Sequence, residues 1–252
     1  MTSALPSDTA GQSGPPHGLE YFYAPPGAIA AGTVHIEGEE YTHLTHVMRR
    51  REGDVIGVMD GEGTAYLVLL TALQKRAAVG AVQATYPMLH EHPTPVTLAA
   101  AVLKNPSRFD YMIEKLTEAG IRAFIPLFTG RTIPHHARTE RWQKIALAAA
   151  KQCGRCIIPR VQPPAPIGEF LEGSGHHGSH RWILHEEATT DMPVHAGQAG
   201  PGGHSIMIGP EGGFTGEEVA LAVAHGYSAV SVGPRRLRSE TAALAAALRV
   251  LL

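Results

Sequence analysis

No apolar run in this chain approaches the roughly 20 residues that a membrane-spanning helix needs, so an anchor of that kind is not expected. The first residues lack the basic start and apolar core of a secretory signal. Met1 to Gly18 is polar and rich in Pro, Gly and Ser, and residues 1–19 read as a disordered leader. A cytoplasmic location follows as the default. Cysteine is scarce, with two residues in the whole chain, placed as Cys153-Gly154-Arg155-Cys156. That is the spacing of redox motifs, but the pair sits at a helix end rather than after a first strand. Two thiolates without partners at ligand spacing do not make a zinc site either. No Gly-x-Gly-x-x-Gly opens a helix after the first strand and no P-loop is present, which excludes the usual dinucleotide and nucleotide-triphosphate signatures. Neither Gly-x-Ser-x-Gly nor a Ser-His-Asp pattern supports a hydrolase. His176, His177 and His180 fall in a Gly/Ser stretch, and His135-His136 follow a proline. They read as loop histidines with nothing to orient them as ligands, so no metal is expected.

What is present is an ordinary globular balance, 44% hydrophobic and 17% charged over 252 residues, enough for one large domain or two modest ones. The net charge of −2 hides a strong partition. Residues 101–160 hold 11 Lys+Arg against 4 Asp+Glu, residues 231–252 hold 4 against 1, and residues 161–230 hold 1 against 8. Fields are screened within about 10 Å, so such a chain can still offer a basic face to a polyanion. Charges scattered over solvated helix faces would give the same counts, and charge alone does not name a partner.

Two rhythms divide the chain. From Tyr21 to Tyr86 the runs are short and strand-like: Thr33–Ile36, Asp54–Met59, and Ala65–Leu70 across the hairpin turn Asp60-Gly61-Glu62-Gly63. Tyr41 to Arg51 reads as one short helix ending in three arginines. Strands at this spacing predict a small β-barrel over residues 20–89. His90 to Pro95, with two prolines, is a linker. From residue 95 to 252 strand and helix alternate, which predicts an α/β domain with a mostly parallel sheet. Val96–Leu103 suits a buried parallel strand, and Ala123–Phe128, Trp182–His185, Ser205–Ile208 and Ala229–Val232 follow it. Ser107 with Asp110 forms a capping-box pattern ahead of a helical face of Phe109, Met112, Ile113 and Leu116, closed by Gly120. Thr139 is placed to cap a helix carrying Trp142, Ile145, Ala146 and Ala149 on one face. Thr215 with Glu218 is a second capping box, for a helix ending before Gly226. The last helix, from about Glu240, is apolar on nearly every side and belongs in the core or a subunit interface.

Two glycine-punctuated segments carry the functional signal. Ile208-Gly209-Pro210-Glu211-Gly212-Gly213-Phe214-Thr215 and Val232-Gly233-Pro234-Arg235-Arg236-Leu237-Arg238-Ser239-Glu240-Thr241 each begin where a strand-like run stops and end where a helix starts. Two such turns, one α/β unit apart, point to a backbone-lined pocket at the carboxyl ends of the strands.

The order Gly-Pro-Glu-Gly-Gly-Phe-Thr-x-x-Glu followed by Leu-Arg-x-Glu-Thr-Ala resembles the bacterial 16S ribosomal RNA uracil-N3 methyltransferases of the SPOUT superfamily. His43-Leu44-Thr45-His46-Val47-Met48-Arg49 is similar to a segment of that family's PUA-like barrel. Lys115–Gly120, Pro126–Thr129, and Arg141-Trp142 through Arg155 with Pro159 match its α/β units. The likeness spans about residues 20–252 in the correct order. It departs at Lys104-Asn105-Pro106-Ser107-Arg108, one residue longer than the family's Lys-Gly-x-(Lys/Arg). Ala119 and Ser239 are milder changes.

The resemblance implies a PUA-like RNA-binding barrel, a deep C-terminal trefoil knot, a homodimer, and S-adenosylmethionine held in a bent shape. Leu184, Ile208, Val232 and Leu237 would form apolar walls, and His185, Gly209, Pro210, Glu211, Gly212, Gly213, Gly233, Arg238 and Thr241 would complete the pocket. Uridine N3 attacks a methyl group efficiently only after losing its proton, so an arginine fork facing the planar anion is the chief requirement, and Arg238 is the candidate. Glu211 or Glu240 is a candidate to take the proton, although an ordinary carboxylate near ~4.3 is a poor base, and a helix-terminus or arginine-pairing role fits each equally. Arg49, Arg50, Arg51, Lys104, Arg131 and Arg155 are the candidate contacts to 16S RNA phosphates in the small ribosomal subunit. Two alternatives remain: a related enzyme acting on ribose 2′-O or another base, and a non-catalytic RNA-binding or assembly factor.

Overall fold

The computed structural model describes residues 14–15, 18–134, 136–173, 178–194 and 203–251. Most of the expected leader, with His135, His176 and His177, lies outside the described residues.

Alternating side chains in the N-terminal half build a six-stranded sheet. Its strands are β1 (Tyr21–Tyr23), β2 (Ile29–Ala30), β3 (Thr33–Glu37), β4 (Val55–Met59), β5 (Thr64–Leu73) and β6 (Ala77–Pro87), in the order β1-β4-β5-β6-β3-β2. The β1–β4 pair is parallel and the other pairs are antiparallel. The hairpin from β4 to β5 turns at residues 60–63, where the Asp60 carboxylate accepts three backbone N–H bonds from Glu62, Gly63 and Thr64. Two register shifts between β5 and β6 bend that long ribbon, as bulges do. Phe22, Val34, Ile36, Ile56, Val58, Val68 and Leu70 point to one core. Helix α1 (Gly38–Thr42) runs into a π turn at His43–Val47 that drops fully buried Leu44 onto this core. The helix expected at Tyr41–Arg51 therefore starts earlier and stops sooner. Arg49 sits at φ 52°, which a right-handed helix does not accommodate.

The second sheet is parallel throughout. Its strands are β7 (Val96–Ala101), β8 (Ala123–Phe128), β9 (Arg160–Val161), β10 (Ala165–Pro166), β11 (His180–Leu184), β12 (His204–Ile208) and β13 (Ser228–Val230). They run β10-β8-β7-β12-β11-β13, with β9 also pairing to β8. β12 thus inserts between β7 and β11, bringing a late segment to the middle of the sheet. Successive residues of β7 face opposite layers. Leu98 and Ala100 pack with helices α2 (Pro106–Ala119), α3 (Thr139–Cys153) and the C-terminal helix (Ser239–Leu251), whereas Ala99 packs with α4 (Ile167–Glu172) and α5 (Gly216–Ala224). Burial on both faces is why these strands read as continuous apolar runs. The C-terminal helix, α6, buries Ala243, Ala246, Ala247, Val250 and Leu251 in the first layer, as its composition required.

Helix starts show where local signals compete. The Asn105 side chain accepts from Ser107 N–H at 3.0 Å with Pro106 opening α2, so Asn105 is the cap and the expected Ser107/Asp110 box does not form. Thr139 is the first residue of α3 and caps nothing. The Thr215/Glu218 box is present in full. The two halves pack together through Met59, Ala65, Ala150, Cys156 and Ile157, and through a Lys151–Glu40 ion pair of 2.6 Å. Among the described residues no helix is long and apolar enough to cross a membrane.

Candidate active site

The carboxyl ends of β11, β12 and β13 open into one cleft of about 1290 Å³. Its floor is main chain. After β12 the chain turns at Gly209–Gly213, closed by Gly213 N–H donating to the Pro210 carbonyl at 2.9 Å, with Gly213 at φ 70°. A Cβ on Gly209 would lie 3.1 Å from the backbone of Gly213 and Phe214, so the two limbs of the turn meet where only glycine leaves room. After β13 the Ser231 hydroxyl closes the other turn, donating to the Gly233 carbonyl at 3.0 Å and accepting from its N–H at 3.1 Å.

Leu184, His185, Ile208, Gly209, Pro210, Glu211, Gly212, Gly213, Val232, Gly233, Leu237 and Arg238 all line this cleft. Thr241 does not. It is exposed on α6, and Ala242, one residue and 100° further round the helix, faces the cleft instead. Leu184, Ile208, Val232 and Leu237 give apolar wall, and the turns give open backbone. Charged groups of both signs complete the lining: Glu186, Glu187 and Asp191 on one segment, Arg108, Arg131, Arg235, Arg236 and Arg238 on others. Such a lining accepts an elongated ligand with an apolar ring and a zwitterionic end.

Glu240 is not free to act as a base. Arg108 Nε and Nη2 donate to its two oxygens at 2.9 and 2.6 Å, and it lies outside the cleft lining. Burial alone would push its carboxyl up. The hydrogen bonds from Arg108 and its own backbone, with the charges of Arg108 and Arg238, outweigh that and hold it below the usual carboxylate range. Its role is the arginine pairing. Glu211 does line the cleft, accepting from Lys104 N–H at 3.2 Å and facing Arg108 Nη1 at 3.4 Å. Arg238 is exposed, and its guanidinium makes no hydrogen bond or ion pair among the described residues. Arg108 was not among the expected site residues. Its one signal in the chain is that it closes the Lys104–Arg108 segment, where Pro106 opens α2 and Arg108 falls in the first turn, lining the cleft.

The expected RNA contacts divide. Arg49, Arg51 and Lys104 are exposed, and their side chains pair with nothing among the described residues. Arg50 is tied to Glu20 at 2.8 Å. Arg131 Nη1 donates to the carbonyls of Gly212 and Phe214 at 2.6 and 3.2 Å, so it braces the glycine turn. Arg155 is the clear correction. It is 3% exposed, paired with Glu91, and bonded to the Thr117 and Ile121 carbonyls, so no phosphate can reach it.

Cys153 and Cys156 are both free thiols. Burial, then the charges of Glu91 and Asp60, push the Cys156 thiol up to about 12, and burial also raises Cys153. Neither is a poised redox nucleophile. His180 belongs to a strand rather than a loop, starting β11 with its ring stacked on Trp182 and His204.

A family model for the RNA methyltransferase domain matches residues 90–251, and one for the RNA methyltransferase PUA domain matches residues 36–83. The ribosomal RNA small subunit methyltransferase E of Synechocystis sp. is 35% identical over 221 residues, covering 86% of this chain and 72% of that protein. The solved structure of ribosomal RNA small subunit methyltransferase E from Neisseria gonorrhoeae, bound to S-adenosyl methionine, is 31% identical and covers 91% of this chain and 95% of its own, with a TM-score of 0.79. A methyltransferase from Legionella pneumophila, in complex with the same cofactor, is 27% identical with coverages of 91% and 95% and a TM-score of 0.78.

Proposed function

The chain belongs to the RNA methyltransferase family, and from that premise we propose that it uses S-adenosylmethionine to methylate N3 of a uridine in 16S ribosomal RNA of the small ribosomal subunit. The observation that carries this reading is the cleft itself: two glycine turns and four apolar residues form a cradle, and the unpaired guanidinium of Arg238 sits on its wall. In this reading the N-terminal sheet is a PUA-like barrel that holds RNA, the segments around Gly209–Gly213 and Gly233–Arg238 form a trefoil knot, and the enzyme works as a homodimer in the cytoplasm. The insertion of β12 between β7 and β11 is the feature that supports the knot.

Leu184, Ile208, Val232 and Leu237 would hold the adenine, and the backbone of the two turns would read its edges. When bound, the cofactor supplies an electrophilic methyl group on its sulfonium. Everything else falls to the chain and the RNA. Uridine N3 keeps its proton at neutral pH, so the site must favour the anion spread over N3, O2 and O4. Arg238 presents a planar, permanently charged fork suited to that anion. With Glu240 committed to Arg108, Glu211 is the carboxylate of the two turns left facing the cleft, and it is the acceptor for the N3 proton. A uridine in folded RNA must be splayed out to reach these groups. Holding it in line supplies much of the rest.

The test is incubation of small ribosomal subunits from a strain lacking this protein with the purified enzyme and labelled S-adenosylmethionine, followed by nucleoside digestion and mass analysis. Labelled 3-methyluridine is the expected product. Label in another nucleoside replaces the substrate, and no label despite binding of both ligands sinks the catalytic reading in favour of an RNA-binding factor.

A further inference from the structure

We propose that Arg108 is a positioning residue that locks the two glycine turns into one cradle and so sets the affinity for S-adenosylmethionine. The proposal rests on the functional reading above and goes beyond it by assigning a residue from a third element to the cofactor site.

Each turn offers α2 a single carboxylate. Glu211 lies in the turn after β12, and Glu240 lies just beyond the turn after β13. The beginning of that second turn is already held, since Arg249 Nη2 donates to the Val232 carbonyl at 3.1 Å. Its end, where Pro234, Arg235, Arg236 and Arg238 are exposed, is tied by a solvent-exposed Arg236–Glu186 pair at 3.3 Å and, in a more buried place, by Glu240. Arg108 meets Glu240 fork to fork through Nε and Nη2, and turns Nη1 toward Glu211. Glu211 is also held by Lys104 N–H, two residues before the helix begins at Pro106. The anchor is stiff, because the Asn105 cap and Pro106 fix the backbone from which Arg108 projects.

The geometry separates positioning from RNA contact. Arg108 has its charge compensated by two carboxylates, and its side chain is 23% exposed, with Glu240 at 10%. Partial burial makes such a bidentate pair worth more than a surface ion pair. A lysine would keep the charge but cannot serve two oxygens of one carboxylate and reach a second carboxylate in the same plane.

The experiment measures the dissociation constant for S-adenosylmethionine by calorimetry on the full chain, for wild type, Arg108→Ala, Arg108→Lys and Glu240→Gln. It is paired with the affinity for small ribosomal subunits and the single-turnover rate at saturating cofactor. The expected result is at least tenfold weaker cofactor binding for Arg108→Ala and nearly as much for Arg108→Lys, with Glu240→Gln in the same direction. For Glu240→Gln, whose side chain lies outside the cleft lining, the saturated rate and the subunit affinity should stay within about threefold of wild type, a split that mere loss of structure does not produce. If Arg108→Ala does not fold, the lysine and glutamine variants give the same reading. Unchanged cofactor affinity in the variants overturns the proposal, as does a loss confined to subunit affinity, which would make Arg108 a phosphate contact. A wild-type chain that binds no S-adenosylmethionine overturns the methyltransferase reading itself, and this proposal with it.

Discussion

Arg155 and Glu91 face each other at 2.7 Å across the junction between the linker and α3, with 3% and 1% of their side chains exposed. Glu91 accepts from Arg155 Nε and Nη2 and from Ile157 N–H, while Arg155 Nη1 reaches the carbonyls at the end of α2. One pair therefore welds the linker to two helices. Removing one partner of such a pair strands the other charge in the interior. Arg155→Ala should lose about 3–5 kcal/mol in urea unfolding, without changing the salt dependence of RNA binding at matched folded protein. A stable variant with weakened RNA binding would restore the phosphate role that the structure removes.

Why Arg155 reads as a surface cation in the chain is instructive. Its partner is 64 residues away in a segment that looks like linker, and nothing near position 155 signals burial. Arg108 is the same case, since Glu211 and Glu240 lie 103 and 132 residues off. Local signals survived better. The Thr215/Glu218 box was legible because both members are three residues apart and no other cap competes. At α2 two polar residues did compete, and Pro106 decided for Asn105, because proline at the first helical position fits where it would break the second turn. Both glycine turns were legible because strand, glycine and helix cap follow directly in sequence. The place of β12 in the middle of the sheet was not, because strand order is set by long-range packing.

Glu240 gives the site a dependence on acid. Its carboxyl is held below the usual value of 4.5, mainly because Arg108 outweighs the effect of burial. A lowered folded-state value means that the ionised form stabilises the fold. That contribution is complete above the ordinary value and is lost as pH falls through the lowered one. The stability difference between wild type and Glu240→Gln should therefore be largest at neutral pH and shrink below about 4.5. Thermal or urea unfolding from pH 7 to 3 reads it directly, and a difference that stays flat over that range would rule out ionisation of Glu240 as its source.

The three arginines after the π turn should behave unequally toward RNA. Arg49 and Arg51 are exposed with unpaired side chains among the described residues, whereas Arg50 is already bound to Glu20. Each phosphate contact contributes roughly one unit to the slope of log affinity against log salt. Arg49→Ala should lower that slope by about one, and Arg50→Ala should leave it near the wild-type value. Titration of small ribosomal subunits at several potassium chloride concentrations decides this. Equal slopes for Arg49→Ala and wild type would move the RNA face off this part of the chain.

Two glycines of the same turn should fail for different reasons. A Cβ on Gly209 meets the backbone of Gly213 and Phe214 at 3.1 Å, so Gly209→Ala must spread the limbs of the turn by a few tenths of an ångström. Those limbs are the cleft floor, and the expected consequence is about tenfold weaker S-adenosylmethionine binding with little change in unfolding. Gly213 has open space around it but sits at φ 70°, where a side chain is strained by about 1–2 kcal/mol. Gly213→Ala should therefore lower stability by that order while the turn, once formed, keeps its shape and most of its affinity. Calorimetric binding beside urea unfolding of both variants separates the two costs. The reverse pattern, affinity lost at Gly213 and stability lost at Gly209, would show that the backbone angle rather than the close approach shapes the cofactor cradle.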